Sequence, residues 1–299
     1  MIETVIILNP AAGRGSARQL LPEIRECFGA IGVMVLRETS LPGEEEALTR
    51  EALARKVTTI IAVGGDGTCS RVANAILTSR SPCRLALVPA GSGNDVAKTL
   101  GVRTLPVAAI AQLVARGVTT RIDVGRVEGH YFLNSCGFGF DASVLEATKE
   151  VRFLRGNAVY IYSALAQLFT YRGISVSVDG APDSARRNML MLTVSNGQWL
   201  GGAFRIAPRA SVMDGELDVG FFSDSNIIER VRIFAGAFRG SHLGLPTVKT
   251  AKVQTMTLNF SEPPAMEIDG ELRHATSSSV KIECIPRALS VVSAPGFLV

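Results

Sequence analysis

The sequence predicts an α/β domain built on a parallel sheet, followed by a β-rich domain folded as an antiparallel sandwich. Three observations predict it. Short unbroken apolar runs alternate with helical patterns over the first 120 or so residues, as in "TVIIL" (4–8), "TTIIAV" (58–63) and "LALV" (85–88). Strands without alternation are buried on both faces, which is the mark of a parallel sheet covered by helices. The later half alternates instead: Met256, Leu258 and Phe260 are separated by polar residues, and so are Val280, Ile282 and Cys284. Period two describes strands with one wet face. Finally, 299 residues with 47% hydrophobic content supply enough apolar mass for two cores.

Taken in order, "TVIIL" is the first strand and a helix is expected from Ser16 to Phe28. "VMVL" (33–36) is the second strand, and "GEEEALTREALARK" (43–56) is a helix with carboxylates in its first turn, where the helix dipole favours them. The third and fourth strands follow. After "GGDGT" (64–68), Cys69, Val72, Ala73, Ile76 and Leu77 repeat at helical spacing, so that helix buries one face and starts at Asp66 or Thr68, either of which can cap it. "RIDVGRVEGHYFLN" opens a hairpin-like pattern, which divides the chain into domains 1–125 and 126–299, the last strand being a candidate to return to the first. "SVSV" (175–178) ends in Asp179-Gly180, a hairpin signal. Two helical stretches, 140–172 and 224–238, interrupt the strands of the second half. Two domains of unlike class imply a cleft between them.

Composition narrows the partners. The formal charge of +4 suits an anionic surface or a polyphosphate, while the lack of any Lys/Arg-rich block argues against nucleic acid. Five dispersed cysteines without a CxxC pair fit a reducing cytosol rather than a disulfide framework or a zinc site. The opening "MIETVIILNP" lacks the basic and long apolar regions of a signal peptide, and no stretch is apolar enough over sufficient length to span a bilayer. A cytoplasmic protein, peripheral at most to the inner face of a membrane, is the expectation, with a homodimer compatible. His130, His242 and His274 show no metal-ligand spacing and read as structural or surface groups, and Trp199 reads as packing.

Three glycine-rich turns follow predicted strands: "NPAAGRGS" (9–16), "GGDGT" and "PAGSGND" (89–95). A single such turn is explained by glycine's tolerance of positive φ. Three turns leaving the carboxyl ends of strands place bare backbone N–H groups and helix N-termini on one rim, where phosphate oxygens bind. None matches G-x-x-x-x-G-K-[ST] or G-x-G-x-x-G, which disfavours a P-loop enzyme and a standard dinucleotide fold.

"GGDGT" followed by "PAGSGND" resembles the diacylglycerol kinase catalytic domain family, which includes bacterial soluble lipid kinases, sphingosine kinases and ceramide kinases. "NPAAGRG", "ETSLPGEEEA" (38–47), "GFGFDA" (137–142), "SNGQWLGGAFRIAPRASVMDGELDV" (195–219) and "EIDGE" (267–271) match further family motifs in order. Two departures stand out: Ser92 replaces a common Thr, and Ser70 and Arg71 replace a common Asn and Glu. The resemblance implies an NAD kinase- or phosphofructokinase-like fold for the first domain. It also implies ATP-dependent phosphoryl transfer to a lipid hydroxyl, of diacylglycerol, ceramide or a sphingoid base, at a membrane surface.

The resemblance assigns the site residues. Asn9, Thr39, Gly64, Gly65, Asp66, Gly67, Thr68 and Ser92 are the expected ATP contacts, with Asn94 and Asp95 next and Arg14 read equally as a phosphate contact or as a solvated loop residue. Glu271 is implied as the general base toward the lipid hydroxyl and Asp123 as its assistant. Mg²⁺ is expected with the ATP phosphates, and a second, structural Mg²⁺ at the Asp214 carboxylate and the carbonyls of Ser211 and Glu216, with Asp218 nearby or at a strand edge. On its own, each Asp-Gly is as well read as a hairpin turn. The stretch 151–172, with Arg152, Arg155 and Arg172, is a candidate for membrane docking, and equally for a helix that covers the second sheet. Two other readings are a kinase for NAD or another soluble acceptor and a catalytically silent nucleotide-binding regulator.

Overall fold

The computed structural model describes residues 4–151, 157–179, 186–294 and 296. The chain divides into two compact units, Met1–Asp123 with Pro286–Val299, and Val124–Ile285.

In the first unit, β1 (Thr4–Leu8) leads through α1 (Ser16–Gln19) and α2 (Leu21–Gly29) to β2 (Val35–Glu38). Then come α3 (Glu44–Ala54), β3 (Thr59–Gly64), α4 (Asp66–Ser79), β4 (Arg84–Pro89), α5 (Asp95–Thr99) and α6 (Val107–Ala115). The strands pair in parallel in the order β4-β3-β1-β2. β5 (Thr120–Val127) crosses into the second unit. Every residue of β3 is buried, which explains its unbroken apolar run. Ile6, Leu8, Ile61 and Val63 pack with Ile24 and Phe28 of α2 and Ile110 and Val114 of α6. Burying each such side chain contributes about 1.5–3 kcal/mol. The single helix expected over 16–28 is two helices broken at Leu20, and β2 begins two residues later than its apolar run suggests.

The second unit adds β6 (His130–Phe132), β7 (Ser135–Gly139), α7 (Phe140–Thr148), α8 (Asn157–Thr170), β8 (Ile174–Val178), β9 (Arg187–Ser195), β10 (Leu217–Ser223) and α9 (Ile227–Ala237). It continues with β11 (Val248–Val253), β12 (Thr255–Phe260), β13 (Ala265–Ile268), β14 (Glu271–His274) and β15 (Ser279–Val291). Its strands pair antiparallel, with β7, β8 and β10 all on β9 and β12 between β8 and β15. Met256, Leu258, Phe260, Val280, Ile282 and Cys284 are buried together with Phe138 and Leu192, as their alternation requires. The last residues of β15 belong to the first unit, where Val291 pairs in parallel with Leu85 of β4.

The helical stretch 140–172 is two helices, α7 and α8; Arg152 and Arg155 lie outside the described residues, as does Gly180 of the expected hairpin. Among the described residues no helix is long and apolar enough to cross a membrane.

Candidate active site

In the first unit the three glycine turns meet. A Cβ on Gly13 would stand 2.1 Å from the carbonyl oxygen of Ala90, and one on Gly91 would stand 2.4 Å from the α-carbon of Gly65. The turns "NPAAGRG", "GGDGT" and "PAGSGND" therefore touch backbone to backbone. α4 starts with Gly65 in the cap position, and no side chain caps it. The expectation that Asp66 or Thr68 caps this helix is corrected: the Asp66 carboxylate instead accepts from the backbone N–H of Val96, at 3.2 Å, in the first turn of α5. Gly64, Gly65, Asp66, Asn94 and Val96 line a small cleft at this point. A helix start left without a side-chain cap beside glycines is suited to an anionic ligand.

A buried carboxylate organises the rim. Glu45, wholly buried in α3, accepts from Asn9 Nδ2 at 3.0 Å, Thr68 Oγ1 at 3.2 Å, the Gly43 N–H at 3.1 Å and Arg71 Nη1 at 3.5 Å. Asn9 also donates to Thr68 Oγ1 at 3.2 Å. Two expected ATP contacts, Asn9 and Thr68, are thus brought together by a residue the motif reading missed. Arg71, which replaces the family's usual residue, supplies the countercharge to Glu45. Thr39 is buried and its backbone N–H donates to Leu8 O at 2.9 Å, whereas Ser92 is exposed on its turn. Asn94, at φ 54°, accepts from the Gly91 N–H at 2.9 Å and donates to Gly91 O at 2.8 Å, so its side chain braces the turn. Asp95 pairs with Lys98 at 2.6 Å. Asp123 is buried and accepts from the Arg287 N–H at 2.7 Å, fixing the point where β15 enters this unit at a positive φ of 49°.

In the second unit the "EIDGE" turn joins β13 to β14. The Asp269 carboxylate is buried and accepts from three backbone N–H groups: Leu133 at 2.9 Å, Asn134 at 2.8 Å and Ser135 at 3.2 Å. Those bonds hold Asp269 at φ 47° with Gly270 at φ 86°, the pair that reverses the chain in front of Glu271. Glu271 is partly exposed and lies 3.3 Å from the Arg273 guanidinium. Behind the turn sits Glu267, buried, which accepts from the Gly270 N–H and from Ser135 Oγ. Burial first, and the Asp141 carboxylate second, push the Glu267 carboxyl well above its ordinary range. Asp141 is also buried, at the start of α7, and a Cβ on Gly137 would lie 2.1 Å from its Oδ2, which accounts for the glycine in "GFGFDA".

The expected metal loop lies between β9 and β10. Asp214 accepts from the Glu216 N–H at 3.1 Å, and Ser211 Oγ accepts from the Met213 N–H at 3.3 Å. The Lys252 ammonium pairs with Asp214 and lies 3.5 Å from Asp218. Burial raises the Asp218 carboxyl and the Asp214 charge adds to the effect, while Lys252 opposes it. Among the described residues no three His, Cys, Asp or Glu side chains gather as a metal site. Asp214 and Asp218 are oxygen donors of the kind Mg²⁺ takes, and in this structure the Lys252 ammonium is the cation that lies against them.

The second unit also contains an apolar pocket, open on one side. It is walled by Ala164 and Leu168 of α8, Ile233 and Phe234 of α9, and Leu190 and Met191 of β9. Phe140 and Asp141 of α7 reach it as well, so α7 borders the cavity and also packs on β13 and β14 beside the Glu271 turn. Arg230 closes one side: it donates to Leu168 O at 2.9 Å and Tyr171 O at 2.8 Å and pairs with Asp224 at 2.6 Å, tying α9 to the end of α8. Among the histidines, His242 is buried against Phe222, with Nε2 3.0 Å from Ile206 O.

Known proteins resemble this chain over most of its length. Residues 3–127 match the family described as "Diacylglycerol kinase catalytic domain", and residues 134–293 match "YegS C-terminal NAD kinase beta sandwich-like domain". A "Diacylglycerol kinase" of Bacillus subtilis is 28% identical over 270 residues, covering 89% of this chain and 88% of that protein. A "Probable lipid kinase YegS-like" protein of Pseudomonas putida is 31% identical over 286 residues, covering 95% of this chain and 92% of that protein. The crystal structure of a diacylglycerol kinase from Bacillus anthracis shares the fold, with a TM-score of 0.74 at 23% identity over 100% of this chain and 98% of that one. Two family models thus match this chain in succession, and the chain belongs to the diacylglycerol kinase-like lipid kinase family, whose members are ATP-using phosphotransferases.

Proposed function

We propose that this protein transfers the γ-phosphate of ATP to the hydroxyl of diacylglycerol or a related lipid, such as ceramide or a sphingoid base. The observation that carries the lipid reading is the apolar cavity of the second unit. Its walls are almost wholly hydrocarbon, with Asp141 and Arg230 as the charged groups at its edge. A soluble polar acceptor gains nothing from such walls, whereas an acyl or sphingoid chain gains about 25 cal/mol for each Å² removed from water.

In this reading the ATP phosphates lie on the Gly64–Thr68 and Ala90–Asn94 turns, with Asn9, Thr39 and Ser92 as further contacts. Phosphoryl transfer is positioning and charge neutralisation, together with a group that receives the hydroxyl proton. Glu271 is assigned that proton, and Asp123 the assisting role that the family resemblance gives it. The three amides on Asp269 hold the turn that presents Glu271. Mg²⁺ supplies charge neutralisation on the ATP phosphates, and Asp214 with the carbonyl oxygens of Ser211 and Glu216 would hold a second, structural Mg²⁺ that stiffens the loop.

Filling the cavity tests the lipid assignment. Ala164→Trp should keep nucleotide binding and the native circular dichroism while phosphorylation of long-chain diacylglycerol falls at least about tenfold, the loss of a well-packed chain contact. Leu168→Ala, which enlarges the cavity, should shift preference toward longer chains. Unchanged lipid phosphorylation and chain preference in both variants would remove the cavity from the reading.

A further inference from the structure

Lys252 stands where a metal is expected. Asp218 of β10 and Lys252 of β11 are direct partners in the antiparallel ladder, so their side chains leave the same face of the sheet. The Lys252 ammonium lies 3.5 Å from Asp218 and also pairs with Asp214, in the loop before β10. One ammonium therefore meets two carboxylates. Among the described residues no other cation pairs with either of them.

The placement comes from the backbone. The register sets Lys252 opposite Asp218, and the four-carbon stem carries the ammonium on to Asp214. The need for a cation is equally visible. Asp218 Oδ2 is shut off from solvent and accepts no hydrogen bond; Lys252 Nζ is the positive charge it faces. On the other side of β10 its register partner is Ser195 of β9, wholly buried, whose hydroxyl makes no hydrogen bond either. A buried carboxylate oxygen needs a donor or a counter-charge, and Lys252 is what the fold supplies. Within the loop the side-chain bonds are local: Asp214 accepts from the Glu216 N–H, and Ser211 Oγ from the Met213 N–H. Lys252 adds a tie from a strand. An exposed ion pair contributes little by itself. Removing this ammonium, however, leaves two neighbouring carboxylates without a partner, one of them with a buried oxygen.

Mg²⁺ arriving at Asp214 would meet that ammonium. Two cations on one carboxylate repel each other at contact distance, and Mg²⁺ gives up its water reluctantly. Metal can enter only where Lys252 swings out, a movement that its flexible stem permits.

We propose that Lys252 is the resident cation of the Asp214 loop: it holds the loop in form without metal, and Mg²⁺ binds at Asp214 only by displacing it. The displacement rests on the structural Mg²⁺ of the proposed function; the lysine's hold on the loop does not.

The test follows thermal unfolding of the full chain without nucleotide, in EDTA and across a Mg²⁺ titration. It compares wild type, Lys252→Arg, Lys252→Met, and Lys252→Met combined with Asp214→Asn. Wild type and Lys252→Arg, which keeps the charge, should unfold in EDTA at the temperature they show before chelation. Lys252→Met should unfold several degrees lower in EDTA and recover with Mg²⁺, at a midpoint at least about tenfold below that of wild type. Adding Asp214→Asn should remove that recovery, which locates the metal at this loop. A destabilised Lys252→Met that Mg²⁺ does not restore would overturn the structural Mg²⁺ of the proposed function and leave the lysine as the cation of the loop. Three results would each overturn the proposal: wild type losing stability in EDTA as Lys252→Met does, Lys252→Met matching wild type at every Mg²⁺ concentration, or recovery that survives Asp214→Asn.

Discussion

Gly91 stands so close to Gly65 that a methyl group on Gly91 would lie 2.4 Å from the Gly65 α-carbon. The two glycine turns are therefore one structure, each present so that the other can approach. The nearest atom, the Gly65 α-carbon, is backbone and cannot swing aside as the Asn94 side chain could, so Gly91→Ala must push the turns apart. A cost of about 1–3 kcal/mol is expected for overpacking of this kind. Thermal unfolding should show a fall of several degrees, and calorimetric titration should show weaker ATP binding. A variant that loses stability yet binds ATP as before would move the phosphate seat off these turns.

Glu45 accepts from Asn9, Thr68, Gly43 and Arg71 through its two oxygens. Glu45→Gln turns one acceptor into a donor, which then faces donors. The expected loss is about 1–3 kcal/mol of stability, with a higher Kd for ATP because Asn9 and Thr68 are no longer oriented. Arg71→Met removes only the partly exposed partner and should cost less on both measures.

The glycine turns were legible in the sequence because their meaning depends on position, at the ends of apolar runs, and not on depth. Glu45 was not legible. It lies between Glu44 and Glu46, and the charge preference of a helix start accounts for all three; what separates Glu45 is that α3 turns it inward. Asp269 shows the same limit. Reading its Asp-Gly as a hairpin turn describes the backbone correctly, but the three amides that converge on its carboxylate come from residues 133–135, far away in sequence. The cavity is assembled from α7, α8, β9 and α9, none of which signals a ligand alone.

Glu267 gives a pH dependence. Its carboxyl is raised well above the ordinary 4.5 by burial and by Asp141, with Asp269 adding to the effect. Over the pH range from that unfolded value up to the raised folded value, the native state holds a proton that the unfolded chain has released. Stability from this group is therefore full below the unfolded value and is lost as pH rises toward the folded one. Glu267→Gln keeps an acceptor for the Gly270 N–H and needs no proton. It should be as stable as wild type in mild acid and more stable near neutrality, with the gap between the two unfolding curves widening as pH rises. A constant gap across that range would show that Glu267 does not carry the proton.

The central claim is ATP-dependent phosphoryl transfer to a lipid hydroxyl. The most direct measurement incubates the purified protein with labelled ATP, Mg²⁺ and a panel of diacylglycerol, ceramide, sphingosine and NAD, for wild type and Glu271→Gln. Label should pass from wild type to a lipid and not to NAD, and Glu271→Gln should lose transfer while still binding ATP. Label on NAD alone, or full lipid transfer by Glu271→Gln, would contradict the account.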